Sequence, residues 1–465
     1  MGEATLILIG CLWLFLTGLG MAQWCIPAGR FTEKAALAFP VSAGLHAAVF
    51  FLLAQGWQAS VWWSLLPFAP FLLSLGKLKI ARAAGWKFLE LAVLVLVVFT
   101  AFQIFVHVFF VPAVEWDCIA LWFMKGKALA VDGRITASFA SWLEAQGLHG
   151  DYPWNVPLMY AWLSRIAGRF SELGCKAVAY CFYVSLVLIL YCLARLRFQR
   201  PAALLALSVY LAIPATVAHV FYRDADTILE TYLAALIFLV LRYQFEPSAK
   251  TAALLAGLTF LTSWTKREGL VYCAMVLVPW VAWLAWKKGS RGWLFPAAAA
   301  GSVLGIAAFW IPKKIFGATT MFAPGLREFQ GIAAEFHQFG SILYLMSREC
   351  LKIYHWNFAW LLVPLLLLAR RDRYGLKILF MAHLLVYFLV YYLSPVDFRW
   401  HITTSWSRLL LHALPELYAW AVFVAGEYLG AELGLERVRA SGRIQAHSPI
   451  TFTRTRFFLR PSNSP

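Results

Sequence analysis

Charge is scarce in this chain. Only 14% of its 465 residues are Asp, Glu, Lys or Arg, where an ordinary soluble domain carries roughly a quarter. That deficit argues against a water-soluble enzyme of this length. The eight cysteines form no CxxC and no Cys/His spacing suited to a metal. Most lie inside apolar runs, where a thiol behaves as a small hydrophobe. Cys118 and Cys175 flank one long loop, and a disulfide between them is one option; two cysteines in a window fix no geometry. No GxSxG, HExxH, P-loop or GxGxxG stands in a context that supports its chemistry, so nucleotide-driven work at a cytosolic site is not indicated. There is no internal repeat and no stretch that reads as a solvated globular domain. The first residues, MGEATLILIGCLWLFLTGLGMA, lack the basic start of a signal peptide and carry Glu3 before the apolar run. An uncleaved first helix is expected.

What fills the chain is apolar: 62% hydrophobic and 17% aromatic. The apolar residues come in runs of about 18–25, each the length of one helical crossing. The runs are continuous and do not alternate, which points to helices and not to barrel strands. They centre near residues 13, 46, 67, 100, 185, 210, 235, 257, 279, 302, 359, 385 and 418. The fold class expected is an all-α polytopic membrane protein with about thirteen spans. The net charge of +17 would suggest nucleic acid in a soluble protein. Here much of the excess lies in short loops and the tail, where it orients the chain, and no nucleic-acid partner is expected.

Assigning loops by sign gives a topology. Arg30 and Lys34; Lys77, Lys79, Arg82 and Lys87; Arg195, Arg197 and Arg200; Arg242 and Lys250; Lys287, Lys288 and Arg291; and Arg370, Arg371, Arg373 and Lys377 alternate along the chain. The positive-inside rule makes these loops cytoplasmic, with the N-terminus outside and the basic tail inside. The loops at 113–175, 220–227, 264–269, 313–347 and 394–408 then face outward. The first contains ALWFMKGKALAV, TASFASWLEAQ and VPLMYAWLSRIAG, each with apolar residues three or four apart. These read as short interfacial helices, with Trp122, Trp142 and Trp162 at headgroup level.

These outer loops hold an unusual share of the ionisable residues. Residues 114–129, VEWDCIALWFMKGKAL, bring Asp117, Lys125 and Lys127, and Asp151 comes later in the same loop. YRDADT brings Arg223, Asp224 and Asp226; TKREG brings Lys266, Arg267 and Glu268; SPVDFRWHITTSWSR brings Asp397, Arg399, His401 and Arg408. Outer cations run against the orientation rule, and charges at membrane depth are costly. An anion-binding site explains their retention, and a lipid phosphate is the obvious anion at a membrane surface. Each residue also has a plainer reading. Asp117 can be the N-cap of a helix starting at Cys118, and Asp224 or Asp226 the cap of TILETYLAALIF. Lys125 and Lys127 can snorkel to headgroups. On one helix, Asp117 and Lys125 would lie roughly 12 Å apart on broadly the same face. Pro153 and Pro157 can punctuate a turn or open a helix whose N-terminus helps hold an anion. The DAD triplet resembles a metal-binding DxD, but alone it is weak; no metal or other cofactor is expected.

In order and placement, these segments resemble the GT-C superfamily of membrane glycosyltransferases, in the branch of protein O-mannosyltransferases and lipid A aminoarabinose transferases. An apolar helix leads into EWDCIALWFMKGKAL; DYPWNVPLMYAW is similar to the family's His-Pro-Pro-Leu region; RDADTILETYLAALIF, TKREGL and SRLLLHALP come next in order. The similarity covers about residues 88–420. Residues 1–87 would be additional N-terminal helices, 88–428 the catalytic module, and 429–465 a basic cytoplasmic tail. The first motif has one acidic residue after Trp where the family has an Asp-Glu pair. The resemblance implies transfer of a sugar from a polyprenyl-phosphate donor to a lipid, glycan or protein acceptor on the outer face of a bacterial inner membrane. It implies Asp117 as base, with Asp224 or Asp226 orienting the acceptor. It makes Lys125, Lys127, Lys266, Arg267 and Arg408 phosphate ligands, and Trp116, Asp151, Tyr152 and His401 further substrate contacts. Glu328, Glu335 and His337 of the 313–347 loop have no assigned role. The competing classes are a lipid-linked glycan ligase or polymerase, a transporter or flippase, and a membrane scaffold.

Overall fold

A computed structural model describes residues 2–56, 60–80, 85–133, 142–143, 145, 152–287, 292–316, 338–369, 372–393 and 397–429. Among these residues there is no strand, as expected where each backbone group must find its partner inside its own apolar segment. The chain opens with α1 (Glu3–Cys25) and α2 (Phe31–Gly56), followed by 3-10 turns at Val61–Ser64 and Leu66–Lys77. Next come α3 (Phe88–Phe110), a π-helical segment (Asp117–Phe123) running into α4 (Met124–Asp132), α5 (Asn155–Ile166) and α6 (Glu172–Arg195). After these stand α7 (Arg200–Leu211), α8 (Pro214–Tyr222), α9 (Ala225–Phe245), α10 (Ala249–Ser263), α11 (Arg267–Tyr272) and α12 (Val278–Lys287). The last are α13 (Leu294–Phe316), α14 (Gln338–Cys350), α15 (Ile353–Trp356), α16 (Leu362–Leu367), α17 (Leu376–Tyr392) and α18 (Phe398–Tyr428).

Among the described residues, seven helices are long and apolar enough to cross a membrane, or eight if the bent pair α7–α8 is one span. The apolar runs suggest about thirteen. Prolines account for part of the difference. Pro67 and Pro70 lie in the 3-10 stretch, and Pro214 opens α8 after a 65° bend from α7. The run near 359 is divided among α15, a 3-10 turn and α16. Helices α10 and α17, at 15 and 17 residues, fall just short of a full span. Hydropathy counts apolar residues and is blind to these interruptions.

Helix α9 is the central pillar. Every residue from Ala225 to Tyr243 is buried, which suits a helix that is apolar on all sides. Helices α6, α10 and α18 pack around it. Helices α1 and α2 pack on α5 and α6, so these first two helices share the core. The Tyr232 hydroxyl donates to the Pro40 carbonyl at 3.0 Å, and the Trp162 indole donates to Ser64 Oγ at 2.8 Å. Each such buried donor would cost about 1–3 kcal/mol if left without its acceptor. Helix α13 reaches α10 through Gly301 and Gly305. A Cβ on Gly305 would stand 2.2 Å from the Ser263 side chain, so only glycine permits this approach.

Helix α5 departs from the interfacial reading. Apart from Arg165 it is buried on every side, and Trp122 and Trp162 lie in the core; Trp142 is exposed. The bundle has two polar ends. At one, Arg242 meets Glu33 at 3.1 Å, Arg200 meets Glu90 at 2.6 Å and Arg197 meets Glu427 at 3.2 Å. The other end carries Asp117, Asp224, Asp226, Lys266 and Arg408.

Candidate active site

Asp117 is not a helix cap. The helix begins at Trp116, and no side chain caps it. Instead the Asp117 carboxylate accepts a hydrogen bond from the Arg408 guanidinium, across 291 residues of chain. Both side chains are about one-third exposed, at 32% and 29%, so the pair forms the open rim of the site. The π-helical turns from Asp117 to Phe123 explain why a 3.6-residue period misplaces the residues after them. Their i→i+5 bonds shift the register, and such segments recur at functional sites. Lys125 therefore turns inward and is fully buried, while Lys127 faces out.

Behind the rim lies a buried charge cluster. Asp224 caps α9: its Oδ1 accepts the backbone N–H of Asp226 at 2.9 Å. That cap points Asp226, in the first turn, toward two donors. Lys266 Nζ lies 2.5 Å and His412 Nε2 3.0 Å from the same Asp226 oxygen. Glu268 adds a second carboxylate 3.3 Å from Lys266. Burial opposes a charged Lys266, but Asp226 and Glu268 outweigh it and raise its pKa above the ordinary lysine range. Asp224 moves upward as well, through burial first and then the neighbouring Asp226 charge. His412 lies fourteen residues into α18, about 20 Å along it, so the first turns of α18 rise past the start of α9 and the cluster sits in a recess. Helix α14 packs against those turns, with the Trp406 indole donating to the Met346 carbonyl at 3.0 Å.

One wall is aromatic. Lys125 Nζ lies 5.4 Å from the centre of the Tyr152 ring, 5.9 Å from Trp122 and 6.0 Å from Trp154. The Arg267 guanidinium lies 4.9 Å from the same Tyr152 ring. Burial first, then the Arg267 charge, lower the Lys125 ammonium to about 7. Tyr152 feels the charges of Glu268, Lys266, Arg408 and Asp117, so its ring is the junction between wall and rim; burial pushes its phenol up to about 12. Trp116 is exposed beside Asp117, and His401 packs its ring on Tyr391 at 4.8 Å on the upper turns of α18. Asp151, with Glu328, Glu335 and His337, lies outside the described residues.

Arg223 points away from this cluster, toward the end of α3. It sits in the left-handed region, φ 56°, and its guanidinium donates to the carbonyls of His107, Val108, Val111 and Pro112 at 2.8–3.3 Å. One of these, the Val108 carbonyl, is left unsatisfied by α3 itself, because the residue four ahead is Pro112, which has no N–H. Cys118 and Cys175 are both free thiols and buried. His219, Asp224 and Asp226 can each offer one atom to a common point, those atoms lying within 4.8 Å of one another. These are the residues that would hold a divalent cation. The Lys266 ammonium sits against Asp226 Oδ1 and already supplies positive charge there.

His412 is the site residue that the sequence pattern passes over. A lone histidine in SRLLLHALP looks like core, yet its i,i+4 spacing from Arg408 puts the two on one helix face, and that spacing was the available signal. The site thus gathers a part-exposed carboxylate, two cations within reach of one carboxylate cluster, and an aromatic wall, all at one end of an apolar bundle. Compared with known proteins, the chain matches no protein-family model, no curated protein and no solved structure.

Proposed function

We propose that this chain is a GT-C-like membrane glycosyltransferase that moves a sugar from a polyprenyl-phosphate donor to a hydroxyl of a lipid, glycan or protein acceptor, with inversion. The observation that carries the reading is the Asp117–Arg408 pair: an accessible carboxylate and a guanidinium held together at the rim of a recess that holds the buried Lys266 ammonium. A glycosyl phosphate already has a good leaving group, so the chemistry asks little more. Asp117 takes the acceptor hydroxyl proton, a contribution of roughly 10²–10⁴-fold. The acceptor oxygen attacks the anomeric carbon, and the bond to the phosphate oxygen breaks with its electron pair leaving on the phosphate. Arg408 and Lys266 stabilise that charge, and the low dielectric of the recess strengthens their effect. Direct displacement inverts the anomeric centre and needs no carboxylate nucleophile. Asp226 serves in this scheme by holding Lys266, while Tyr152 and Trp116 offer faces for the sugar. The site end faces outward from a bacterial inner membrane, with the opposite arginine-rich end in the cytoplasm.

A transporter or flippase is the second reading. It is favoured by the 65° bend between α7 and α8 and by the fully buried His383–Glu416 pair, 3.1 Å apart between α17 and α18. Proteoliposomes separate the two. The purified chain, given undecaprenyl-phosphate sugars and an extract of membrane acceptors, should yield free undecaprenyl phosphate and a glycosylated acceptor. Movement of the intact glycolipid between leaflets without sugar release would instead establish the transporter. In cells, mass spectrometry of envelope glycans and membrane lipids from a deletion strain should show an acceptor lacking one sugar.

A further inference from the structure

Helices α17 and α18 face each other through three polar rungs. Tyr391 Oη lies 2.9 Å from Ser405 Oγ, Tyr387 Oη lies 3.1 Å from His412 Nδ1, and His383 Nδ1 lies 3.1 Å from Glu416 Oε1. On α17 the participants are four residues apart, and on α18 His412 and Glu416 repeat the spacing of Arg408 and His412, so each set forms one stripe along its helix. Polar side chains inside an apolar bundle are costly, and their retention marks a functional part of the fold. The middle rung reaches the buried charge cluster directly, because His412 passes its other ring nitrogen to Asp226.

We propose that Tyr387 and His412 are positioning residues that aim Lys266 at the donor phosphate. The inference rests on the glycosyl-phosphate reading of the site. An ionised carboxylate only accepts hydrogen bonds, so His412 must present Nε2–H to Asp226. Lys266 already supplies the positive charge opposite Asp226. A neutral imidazole with its proton on Nε2 therefore completes the cluster without a second buried charge. Its Nδ1 then needs a donor, and the Tyr387 hydroxyl is that donor. The chain of contacts runs Tyr387 to His412 to Asp226 to Lys266, and all four side chains are buried. Tyr387 fixes the tautomer of His412, His412 fixes the orientation of the carboxylate, and the carboxylate fixes the ammonium. Neither Tyr387 nor His412 contacts a substrate in this scheme. Their effect is on where Lys266 points.

The test combines a binding measurement with a spectroscopic one. The binding probe is undecaprenyl phosphate, titrated into the purified chain in nanodiscs. Tyr387→Phe should weaken binding about five- to tenfold, the loss expected of one buried hydrogen bond. His412→Phe should weaken it further. His412→Gln, whose amide can donate to Asp226 and accept from Tyr387, should recover most of the affinity. Tyr232→Phe, which removes a buried hydrogen bond about 9 Å further along α9 and outside the chain of contacts, should leave affinity within twofold and controls for general loosening. Equal losses in Tyr387→Phe and Tyr232→Phe would reduce Tyr387 to ordinary core and overturn the proposal. Independently, ¹⁵N-histidine spectra, assigned by difference from His412→Gln, should show His412 as the Nε2–H tautomer, with mixed tautomers in Tyr387→Phe. An Nδ1–H signal in the parent protein refutes the chain of contacts even if sugar transfer occurs. Absence of undecaprenyl phosphate binding in the parent refutes the phosphate reading, while the tautomer signal still decides the ladder.

Discussion

The Lys266–Asp226 pair makes a prediction that separates folding from function. The two atoms stand 2.5 Å apart, with side chains 7% and 1% exposed. At an effective dielectric of about 20, that separation corresponds to about 6–7 kcal/mol of gross attraction, most of it offset by the cost of taking both ions out of water. Breaking a buried pair from one side costs about 3–5 kcal/mol, because a buried charge is left behind. Lys266→Met strands Asp226 with only the neutral His412 donor, and its loss should fall in that range. Asp226→Asn should sit near the low end, about 3 kcal/mol, because Glu268 at 3.3 Å still faces the ammonium. The double variant removes both charges of the pair and leaves Glu268, one-quarter exposed, without its cation, so it should lie within about 2 kcal/mol of the parent, and the coupling is several kcal/mol. The assay is unfolding in mixed detergent micelles across the four proteins of the cycle, with binding of undecaprenyl phosphate measured in parallel. The double variant should be stable and yet bind the phosphate poorly. Additive losses, with the double variant worse by about 6–8 kcal/mol, would refute the pairing argument. Full phosphate affinity in a stable double variant would remove Lys266 from the site.

Other consequences are as direct. Lys125 carries its proton below about pH 7 and loses it above, so phosphate affinity should be highest in mildly acidic buffer and fall as pH rises through 7. Lys125→Met should flatten that profile in a titration series from pH 6 to pH 8.5, and an unchanged profile would clear Lys125 of any part in it. Arg223→Ala should lower stability by about 1–3 kcal/mol by orphaning the buried Val108 carbonyl at the end of α3, measured by unfolding in micelles. Phosphate affinity of the folded Arg223→Ala fraction should stay within about threefold, since the guanidinium faces α3 and not the recess. Transfer should persist in excess chelator, because the Lys266 ammonium already supplies positive charge at the Asp226 carboxylate. Complete loss that added metal restores would move His219, Asp224 and Asp226 into a metal centre.

How much of this was legible in the sequence varies by residue. The membrane class was plain, because composition and run length bear on it directly. The span count was not, because Pro67, Pro70 and Pro214 interrupt helices that hydropathy reads as continuous. Asp117 could be marked as a candidate but not separated from a cap; its carboxylate meets a partner 291 residues away, Arg408, and caps no helix. The excess of cations at one end was legible as a group. Their division was not: Arg223 closes a helix, Lys125 enters an aromatic box, and Lys266 pairs with Asp226. Such assignments depend on contacts between distant segments, which a local pattern does not encode. The ladder between α17 and α18 lay nearer the surface of the sequence, since His383, Tyr387 and Tyr391 share the four-residue spacing that joins Arg408, His412 and Glu416.

The central claim is that Asp117 is the base. The measurement is the rate of sugar release from an undecaprenyl-phosphate sugar by Asp117→Asn, purified to the same yield as the parent and reconstituted with membrane acceptors. The side chain is one-third exposed and no cap depends on it, so the variant should fold. Transfer should fall by roughly 10²–10⁴-fold while undecaprenyl phosphate still binds. A folded Asp117→Asn that transfers sugar at a rate near the parent's would contradict the account.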